Sequence, residues 1–456
     1  MLKRSLALGA LMAFVITGSA MAAELTIKYD NNTFTATGTG ITDPLNSANL
    51  DSIHSALKDI SMAGVNASGK KVIGNFGTAT SDNVITIDGG YYNSEPRIYG
   101  AYSDSNNANN NTVKVSNVNQ GNLANGADGN LTVIGGWAQN DANGNDVTIE
   151  NVVTNYFVYG GDAQCGNSNN NTVTIKNSTV GYVNGGFARF SGKINGGVET
   201  SDNTKDKAEN DSNYNTITIE NSTVLNSVQG GAAGGYGDAI GNTVTVTNLK
   251  FTNANASGGG ALESGYTEAG NAENNTLIVN GENTEIVVQT FGGRAQDSGN
   301  AIGNEVTINA GNFNNTGKGI VGGITENQGS EFQNGTEGDA LRNSVTINGG
   351  TINAKVYGGY SVAGAANENT VTITGGEIKE NVYGGYGATE ASGNAVNVSG
   401  GTFADDSKIC GGMTKTGGAN NNNIALTGTK IPMQVVGGWS NDGTARNNTV
   451  KLDKAY

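Results

Sequence analysis

Residues 343–386 read NSVTINGGTINAKVYGGYSVAGAANENTVTITGGEIKENVYGGY and contain the same unit twice. Each copy opens with an asparagine and a short alternating segment, at residues 343–347 and again at 369–373. The alternation places Val371 and Ile373 on one face of a strand and Thr372 on the other. A Gly-Gly turn signal follows each segment, and the element VYGGY comes next. The stretch therefore predicts a repeat made of short β-strands separated by turns.

The opening asparagine recurs along nearly the whole chain, at intervals of 25 to 44 residues. The thirteen openings are Asn83, Asn111, Asn145, Asn171, Asn215, Asn242, Asn275, Asn304, Asn343, Asn369, Asn394, Asn422 and Asn448. A second element related to VYGGY follows each of the first twelve, and its first copy has Ala101 in place of the second glycine. One unit has too few apolar residues to form a core alone, so neighbouring units must stack.

The predicted fold class is therefore all-β: a right-handed parallel β-helix of about 12–13 coils with a small N-terminal cap. A rise of about 4.8 Å per coil gives a rod about 60 Å long. The right-handed form is favoured because a coil of about 26 residues lacks the hexapeptide rhythm of left-handed solenoids. A hairpin array would instead need a turn signal every 8 to 12 residues or so.

The two repeated motifs have structural interpretations. Stacked asparagines can hydrogen-bond along the rod and satisfy amides that would otherwise be buried without partners. The glycine pairs are expected to allow a positive φ, or close packing at a tight corner where a Cβ would clash. Tyrosines of the second element, together with Trp137 and Trp439, are expected to form stacked rows. A sugar-binding platform is the alternative for these aromatic residues.

The chain divides into three predicted segments. Residues 1–22 have the features of a secretory signal peptide: Lys3 and Arg4, an apolar stretch, and Ala20-Met21-Ala22 for cleavage. Residues 23–82 lack the repeat and are expected to form the cap, with short strands and a helix near 50–62. Residues 83–456 form the solenoid, which we expect to be truncated at its C-terminus because the chain stops just after the thirteenth strand.

Three units are longer than the rest after their second element, between Gly186 and Asn215, Gly259 and Asn275, and Gly323 and Asn343. Insertions at one corner of every coil would project from one side of the rod, and such a face commonly binds a partner. The alternative is that these are loops under no functional demand.

Composition excludes several functions. The formal net charge of −15 argues against nucleic acid and anionic lipid as partners. His54 is the one histidine of the chain and is expected on the surface of the cap helix, so the solenoid cannot hold a histidine-based catalytic triad or a histidine metal cluster. Cys165 and Cys410 lie eight units apart, too far for a disulfide within one chain. We therefore predict no catalytic, cofactor-binding or metal-binding residues.

The signal peptide, the NTVTI strands and the VYGGY elements resemble the passenger regions of type V autotransporter adhesins of Gram-negative bacteria. The resemblance covers about residues 83–456 and rests on the style of the repeat. Such families append a C-terminal outer-membrane β-barrel translocator, which this sequence lacks. The resemblance implies Sec-dependent export, a location at the cell surface, in the outer membrane or outside the cell, and adhesion to host or bacterial surface glycans or proteins.

Two other functions remain open. β-Helices also occur as polysaccharide lyases and glycoside hydrolases, which need converging carboxylates, or acidic metal ligands together with a basic group. Two or more Asp, Glu or Arg side chains from adjacent coils, meeting in one cleft, would favour such an enzyme. A structural protein of the envelope or of a filament is the third possibility.

Overall fold

The structure is a computed structural model that describes residues 22–47, 50–59, 63–65, 71–75, 80–90, 92, 97–118, 131–189, 194–195, 198–199, 210–252, 260–315, 317–326, 338–430 and 432–454. The predicted signal peptide, residues 1–22, lies outside these residues except for its last position. No helix in the described part of the chain has the length and apolarity that a membrane crossing requires.

The described chain is a parallel β-helix, which confirms the predicted all-β solenoid. We number its coils from 1 to 13, each starting at one of the thirteen asparagines. Sheet 1 carries the strand that follows each asparagine. Its strands are Glu24–Asp30, Thr33–Gly38, Leu45–Ser47, Val84–Asp88, Thr112–Ser116, Asp146–Glu150, Thr172–Lys176, Thr216–Glu220, Thr243–Thr247, Thr276–Asn280, Glu305–Ile308, Ser344–Ile347, Thr370–Ile373, Ala395–Val398, Asn423–Thr427 and Thr449–Asp453.

Sheet 2 carries the second element of each coil. Its long strands are Arg97–Ser103, Thr132–Ala138, Phe157–Ala163, Thr179–Ala188, Thr223–Ala233, Ala261–Thr267, Gln289–Gln296, Ile320–Glu326, Val356–Ser361, Val382–Gly387, Lys408–Thr414 and Gln434–Ser440, preceded by Ala63–Val65 and Lys71–Asn75. Short strands extend it at Lys250–Phe251, Glu285–Ile286, Asn312–Asn314, Thr351–Asn353, Glu377–Ile378 and Thr402–Phe403.

Three small elements complete the described structure. Sheet 3 consists of Ala239–Ile240, Ala272–Glu273, Ala301–Ile302, Ala340–Leu341 and Ala366–Asn367. A two-stranded antiparallel pair, Ile194–Asn195 with Val198–Glu199, lies in the insertion of coil 4. The helix is Leu50–Asp59.

Sheets 1 and 2 pack on one apolar core that runs along the rod. In coil 9, Val345 and Ile347 from sheet 1 and Val356 from sheet 2 are all fully buried in it. Their partners one coil further along are Val371, Ile373 and Val382, in the same register. Burying one such side chain stabilises the fold by about 1.5–3 kcal/mol. The outward-facing threonines of sheet 1 leave that face polar.

The opening asparagines form a buried hydrogen-bonded ladder inside the rod, as predicted. Oδ1 of Asn369 accepts from the backbone N–H of Asn343 at 2.9 Å and from its Nδ2 at 3.0 Å. Nδ2 of Asn369 donates to the Ala340 carbonyl at 2.9 Å and to Oδ1 of Asn394 at 3.1 Å. The side-chain contact repeats in every step from Asn83 to Asn448. Each asparagine therefore joins three successive coils.

The glycine pairs lie in the middle of the sheet 2 strands, so the predicted place at a tight corner is wrong. A Cβ on Gly359 would overlap the side chain of Asn369, and a Cβ on Gly358 would overlap the carbonyl oxygen of Gly384. Neither glycine has a positive φ, so close packing is the reason for both. The second element is thus glycine-rich because the asparagine ladder packs directly against it.

The residue before each ladder asparagine has a left-handed backbone in all thirteen coils. These residues are Asp82, Asn110, Gly144, Asn170, Tyr214, Gly241, Asn274, Gly303, Arg342, Glu368, Gly393, Asn421 and Asn447, with φ between 53° and 69°. Glycine and asparagine adopt this conformation at low cost, which explains the recurrent Asn-Asn and Gly-Asn pairs in the sequence.

The N-terminal segment covers the first coil. Strand Glu24–Asp30 pairs in parallel with Val84–Asp88 and antiparallel with Thr33–Gly38, so the edge of coil 1 is not left open. The helix buries Ile53 and Leu57 in the common core. His54 is also buried at 6% exposure, so its predicted place on the helix surface is wrong. It follows Ile53 directly and lies close to the same apolar face of the helix.

Coil 6 is built differently from the sequence prediction. The register pairs Gly231 of coil 5 with Gly265, not with Gly259, so the second element of coil 6 is residues 262–266. The extra residues of this coil therefore precede its sheet 2 strand. Only the insertions of coils 4 and 8 lie at the corner that follows sheet 2, and the prediction of three at that corner is wrong. Residues 190–193, 196–197, 200–209 and 327–337 of these two insertions lie outside the described residues.

The two cysteines lie in coils 3 and 11 and form no disulfide with each other. Sγ of Cys165 accepts a hydrogen bond from Nε2 of Gln139 at 2.9 Å. Cys410 is buried on sheet 2, and this burial raises the pKa of its thiol to about 12. Its Sγ lies 3.3 Å from the Gly412 carbonyl oxygen.

Candidate functional surface

The solvent side of sheet 2, which we call the outer face, carries the largest side chains outside the core. Each strand contributes a residue before the glycine pair and a residue after it, and parallel register stacks these into two columns. In coils 9 and 10 the first column has Tyr357 and Tyr383, and the second has Tyr360 and Tyr386. Sheet 1 has threonine, lysine and glutamate at its outward positions, so the two faces of the rod differ in chemistry.

The aromatic rows predicted from the sequence are present in coils 9 and 10. The rings of Tyr357 and Tyr383 stack with centroids 4.8 Å apart, and those of Tyr360 and Tyr386 stack at 4.9 Å. Each stacked ring gives one face to its neighbour in the next coil. Beyond the two rings, the first column continues with Val321 and Cys410 and the second with Ile324 and Met413, so the rings join successive coils and these rows act as structural stacks. Trp137 likewise stacks on Tyr102 at 4.4 Å.

An ion pair between the buried Asp162 carboxylate and the partly exposed Arg189 lies on the outer face at coils 3 and 4. Arg189 holds Asp162 in a bidentate contact, from Nε to Oδ1 at 2.7 Å and from Nη2 to Oδ2 at 2.9 Å. Gln164 donates to the same Oδ1 at 3.0 Å, and the guanidinium lies 4.5 Å from the centroid of the Phe187 ring. Burial alone would lower the pKa of Arg189, but the Asp162 carboxylate more than reverses this and raises it. Arg189 is therefore a permanent cation fixed in one position.

A second cluster joins coils 6, 7 and 8. Arg294 contacts Glu263 through Nε at 2.8 Å and Nη2 at 3.0 Å, and its Nη1 lies 3.7 Å from Glu326. Glu263 is 0% exposed, so it depends on this arginine for charge compensation. Lys318 lies 3.7 Å from Glu326 on the outer side of the cluster. The Arg294 guanidinium also lies 4.6 Å from the centroid of the Tyr266 ring.

This cluster brings together acidic and basic side chains from adjacent coils, which is the feature that would favour a polysaccharide-degrading enzyme. Its protonation states argue for a structural role. Burial would lower the pKa of Arg294, but Glu263 and Glu326 raise it above its usual value, so Arg294 cannot accept a proton. Burial also raises the pKa of Tyr266 well above its usual value, so no tyrosinate base forms near neutral pH.

Both insertions at the corner after sheet 2 start from these ion-paired positions. Arg189 directly precedes the insertion of coil 4, and Nδ2 of Asn210, just beyond it, donates to the Arg189 carbonyl at 3.0 Å. Glu326 directly precedes the insertion of coil 8, and Oγ1 of Thr325 donates to the Gly338 carbonyl beyond it at 2.9 Å. The ends of each insertion are thus held together by a hydrogen bond on a rigid base.

Buried tyrosines make the fold sensitive to alkali. Burial raises the pKa of Tyr92, Tyr159 and Tyr357 above the ordinary value of about 10. The folded chain therefore keeps phenolic protons that the unfolded chain loses, so stability is complete below about pH 10 and falls as the pH rises further. Tyr266 contributes in the same way, and four such groups give a loss of about 5 kcal/mol per pH unit above pH 10.

Urea denaturation at a series of pH values from 8 to 12 measures this slope. Tyr357→Phe is expected to reduce it by about a quarter, because one of the four groups no longer titrates. A free energy of unfolding that stays constant from pH 10 to pH 12 would show that these phenols are not protected by burial.

Sequence reasoning identified none of these clustered residues as a site. Glu263 was missed because Gly259 was taken as the glycine of the second element in coil 6. Arg294 directly follows the glycine pair of coil 7, at the position where coil 6 has Tyr266 and coil 8 has Ile324. Since arginine is rare in the chain, an arginine at this repeat position is the signal that could have revealed the cluster.

The described residues contain no group of three or more His, Cys, Asp or Glu side chains placed to hold a metal ion. No protein-family model, curated protein or solved structure matches the chain.

Proposed function

We propose that the chain is a non-enzymatic β-helical adhesin or display protein that is exported and binds host or neighbouring-cell surfaces through the outer face of sheet 2 and the insertions at its corner. The observation that carries the proposal is the placement of Arg189 and Glu326. Each lies at the start of one of the two insertions at the corner after sheet 2, and each belongs to an ion-paired cluster on the same face.

The rest of the rod supports a display role. The asparagine ladder, the glycine pairs and the aromatic stacks are all used in joining one coil to the next. Loops that carry function are commonly held on such a rigid scaffold. By its resemblance in repeat style, the chain is proposed to be the passenger region of an autotransporter, located at the cell surface or outside the cell and exported with the help of an outer-membrane translocator.

A polysaccharide lyase or glycoside hydrolase is the second candidate, and the Glu263–Arg294–Glu326 cluster is the observation in its favour. Incubating the purified chain with pectate, alginate and hyaluronan, and measuring new reducing ends and absorbance of unsaturated uronates, separates the two functions. Binding without cleavage is the result expected for an adhesin. Cleavage that disappears in Glu263→Gln would establish the enzyme.

The deletion of both insertions tests the binding proposal. Removing 191–209 leaves two residues where coil 3 has Cys165 and Gly166, and removing 328–337 leaves two where coil 9 has Ala363 and Gly364. Each of the two coils then has as many residues between its sheet 2 strand and the next ladder asparagine as the neighbouring coil has. The fold is therefore expected to survive. We expect attachment of purified chain 23–456 to epithelial or bacterial cells to fall about tenfold or more.

The matched control is deletion of 253–259, which shortens coil 6 at the other corner. This variant is expected to attach as the unmodified chain does. Unchanged attachment after removal of both other insertions would contradict the proposal, provided that circular dichroism shows the same β content in all three proteins.

A further inference from the structure

At coil 5 the outer face carries shorter side chains than at the coils beside it, and we call this part of the face the coil 5 step. In coil 4 its side chains include Tyr182 and Phe187, and in coil 6 they include Tyr266. The coil between them has Ser227, Gln229 and Ala232 at the corresponding positions. The row that contains Phe187 and Tyr266 is therefore interrupted for the height of one coil, about 4.8 Å, and the row that contains Tyr182 ends at coil 4, since Ser227 and then Ala261 follow it.

Tyr182 is the aromatic residue that forms one wall of this step. One face of its ring stacks on Phe157, with centroids 5.0 Å apart and planes 28° apart. Its register partner in the next coil is Ser227, which has no ring to cover the other face. The residue is 38% exposed, whereas Tyr357 in the stacked rows is 7% exposed. Tyr182 thus has one ring face that no neighbouring ring covers, and it is more exposed than Tyr357.

Polar side chains of sheet 2 lie beside this ring, and we call them the floor of the step. Asn184, Gln229 and Glu263 follow one another in the column next to Tyr182. Nε2 of Gln229 donates to Oε1 of Glu263 at 2.7 Å, and its amide oxygen has no hydrogen-bond partner among the described residues. Diagonal neighbours in adjacent strands lie about 7–8 Å apart, so the Gln229 amide is within reach of a ligand stacked on Tyr182.

The floor carries little net charge. The Glu263 carboxylate is compensated by Arg294, and Asp162 by Arg189 at the neighbouring coil. An open aromatic face with amide groups beside it suits a ligand that is apolar on one side and bears hydroxyl groups at its edge. A compensated floor favours a neutral ligand, since a charged one would lose solvation without gaining an ion pair.

We propose that the coil 5 step is a subsite for one neutral hexopyranose unit of a surface glycan, with Tyr182 as the stacking residue and Gln229 as a hydrogen-bonding residue. This inference rests on the proposed adhesive function and specifies the ligand class for the same face. The sugar stacks its C–H face on Tyr182, and the free oxygen of Gln229 accepts a hydrogen bond from a ring hydroxyl.

Binding to an array of immobilised glycans that end in glucose, galactose, mannose, N-acetylglucosamine or sialic acid tests the subsite. Tyr182→Ala removes the open face, and Ser227→Tyr covers it by continuing the stack, so both are expected to weaken binding to neutral glycans about tenfold or more. Circular dichroism that shows the same β content in both variants and in the unmodified chain separates a loss of the subsite from misfolding. Tyr214→Ala, at an exposed tyrosine outside sheet 2, is the matched control and should bind normally.

Normal glycan binding by Tyr182→Ala or Ser227→Tyr would overturn the subsite, and so would binding restricted to sialylated glycans. Attachment of the unmodified chain to cells without binding to any arrayed glycan would overturn the subsite and leave the adhesive function intact. An unmodified chain that attaches neither to cells nor to glycans would overturn both.

Discussion

Replacing Asn369 by alanine is expected to lower the free energy of unfolding by about 5 kcal/mol. The substitution removes the acceptor of both the backbone N–H and the Nδ2 of Asn343, and the donor to the Ala340 carbonyl. These groups lie in the interior of the rod, where each unsatisfied group costs about 1–3 kcal/mol. Water cannot replace the lost bonds, because Asn369 is fully buried between sheet 2 and its own turn.

Urea denaturation followed by far-UV circular dichroism measures the effect. Asn348→Ala is the matched control, since Asn348 bonds to Asn309 at 2.8 Å in a similar ladder on the exposed corner after sheet 1. Water can satisfy the groups left there, so this change is expected to cost less than about 1 kcal/mol. Equal effects of the two substitutions would mean that the inner ladder does not hold the coils together.

Replacing Arg294 by leucine is expected to destabilise the fold by about 3–5 kcal/mol, the cost of leaving one partner of a buried ion pair alone. Glu263 would keep the bond from Gln229 but lose its compensating charge while remaining fully buried.

The double variant Glu263→Leu with Arg294→Leu should recover most of this loss, since an apolar pair of similar size is often as stable as a buried ion pair. Breaking the exposed pair of Lys250 and Glu285, 3.4 Å apart, by Lys250→Leu is the control and should change stability by less than about 1 kcal/mol. A double variant less stable than Arg294→Leu would show that the charges themselves stabilise the fold.

Much of the fold follows from the sequence because the same pattern of asparagine, alternating strand and glycine pair recurs in many units. Alternation in segments such as 369–373 fixes which residues face the core, and the recurring asparagine identifies the ladder. The open ring face of Tyr182 was beyond prediction. It depends on the register between coils, which places the small residue Ser227, and not another aromatic residue, next to Tyr182. Such a contact is specified by register between coils rather than by any local motif.

Where sequence reasoning failed, a local signal was ambiguous. Coil 6 contains Gly258-Gly259-Gly260 just before its true second element, in which Ser264 replaces the first glycine. The Ser264 hydroxyl lies within hydrogen-bond distance of two carbonyl oxygens inside the rod, at 2.7 Å from that of Asn242 and at 2.9 Å from that of Thr276, and donates to one of them. The structure therefore accepts a residue that the motif excludes. This one misassignment hid Glu263, misplaced an insertion and left the charged cluster undetected.

The most direct test of the account places a bulky group on one face of the rod at a time. Thr218 and Ser227 lie in the same coil, on the outward faces of sheet 1 and sheet 2. Each is changed to cysteine in a Cys165→Ser background, labelled with maleimide–polyethylene glycol and assayed for attachment to cells. We predict that the polymer at position 227 abolishes attachment and that the polymer at position 218 leaves it unchanged. Attachment that survives at position 227, or is lost equally at both positions, would contradict the account.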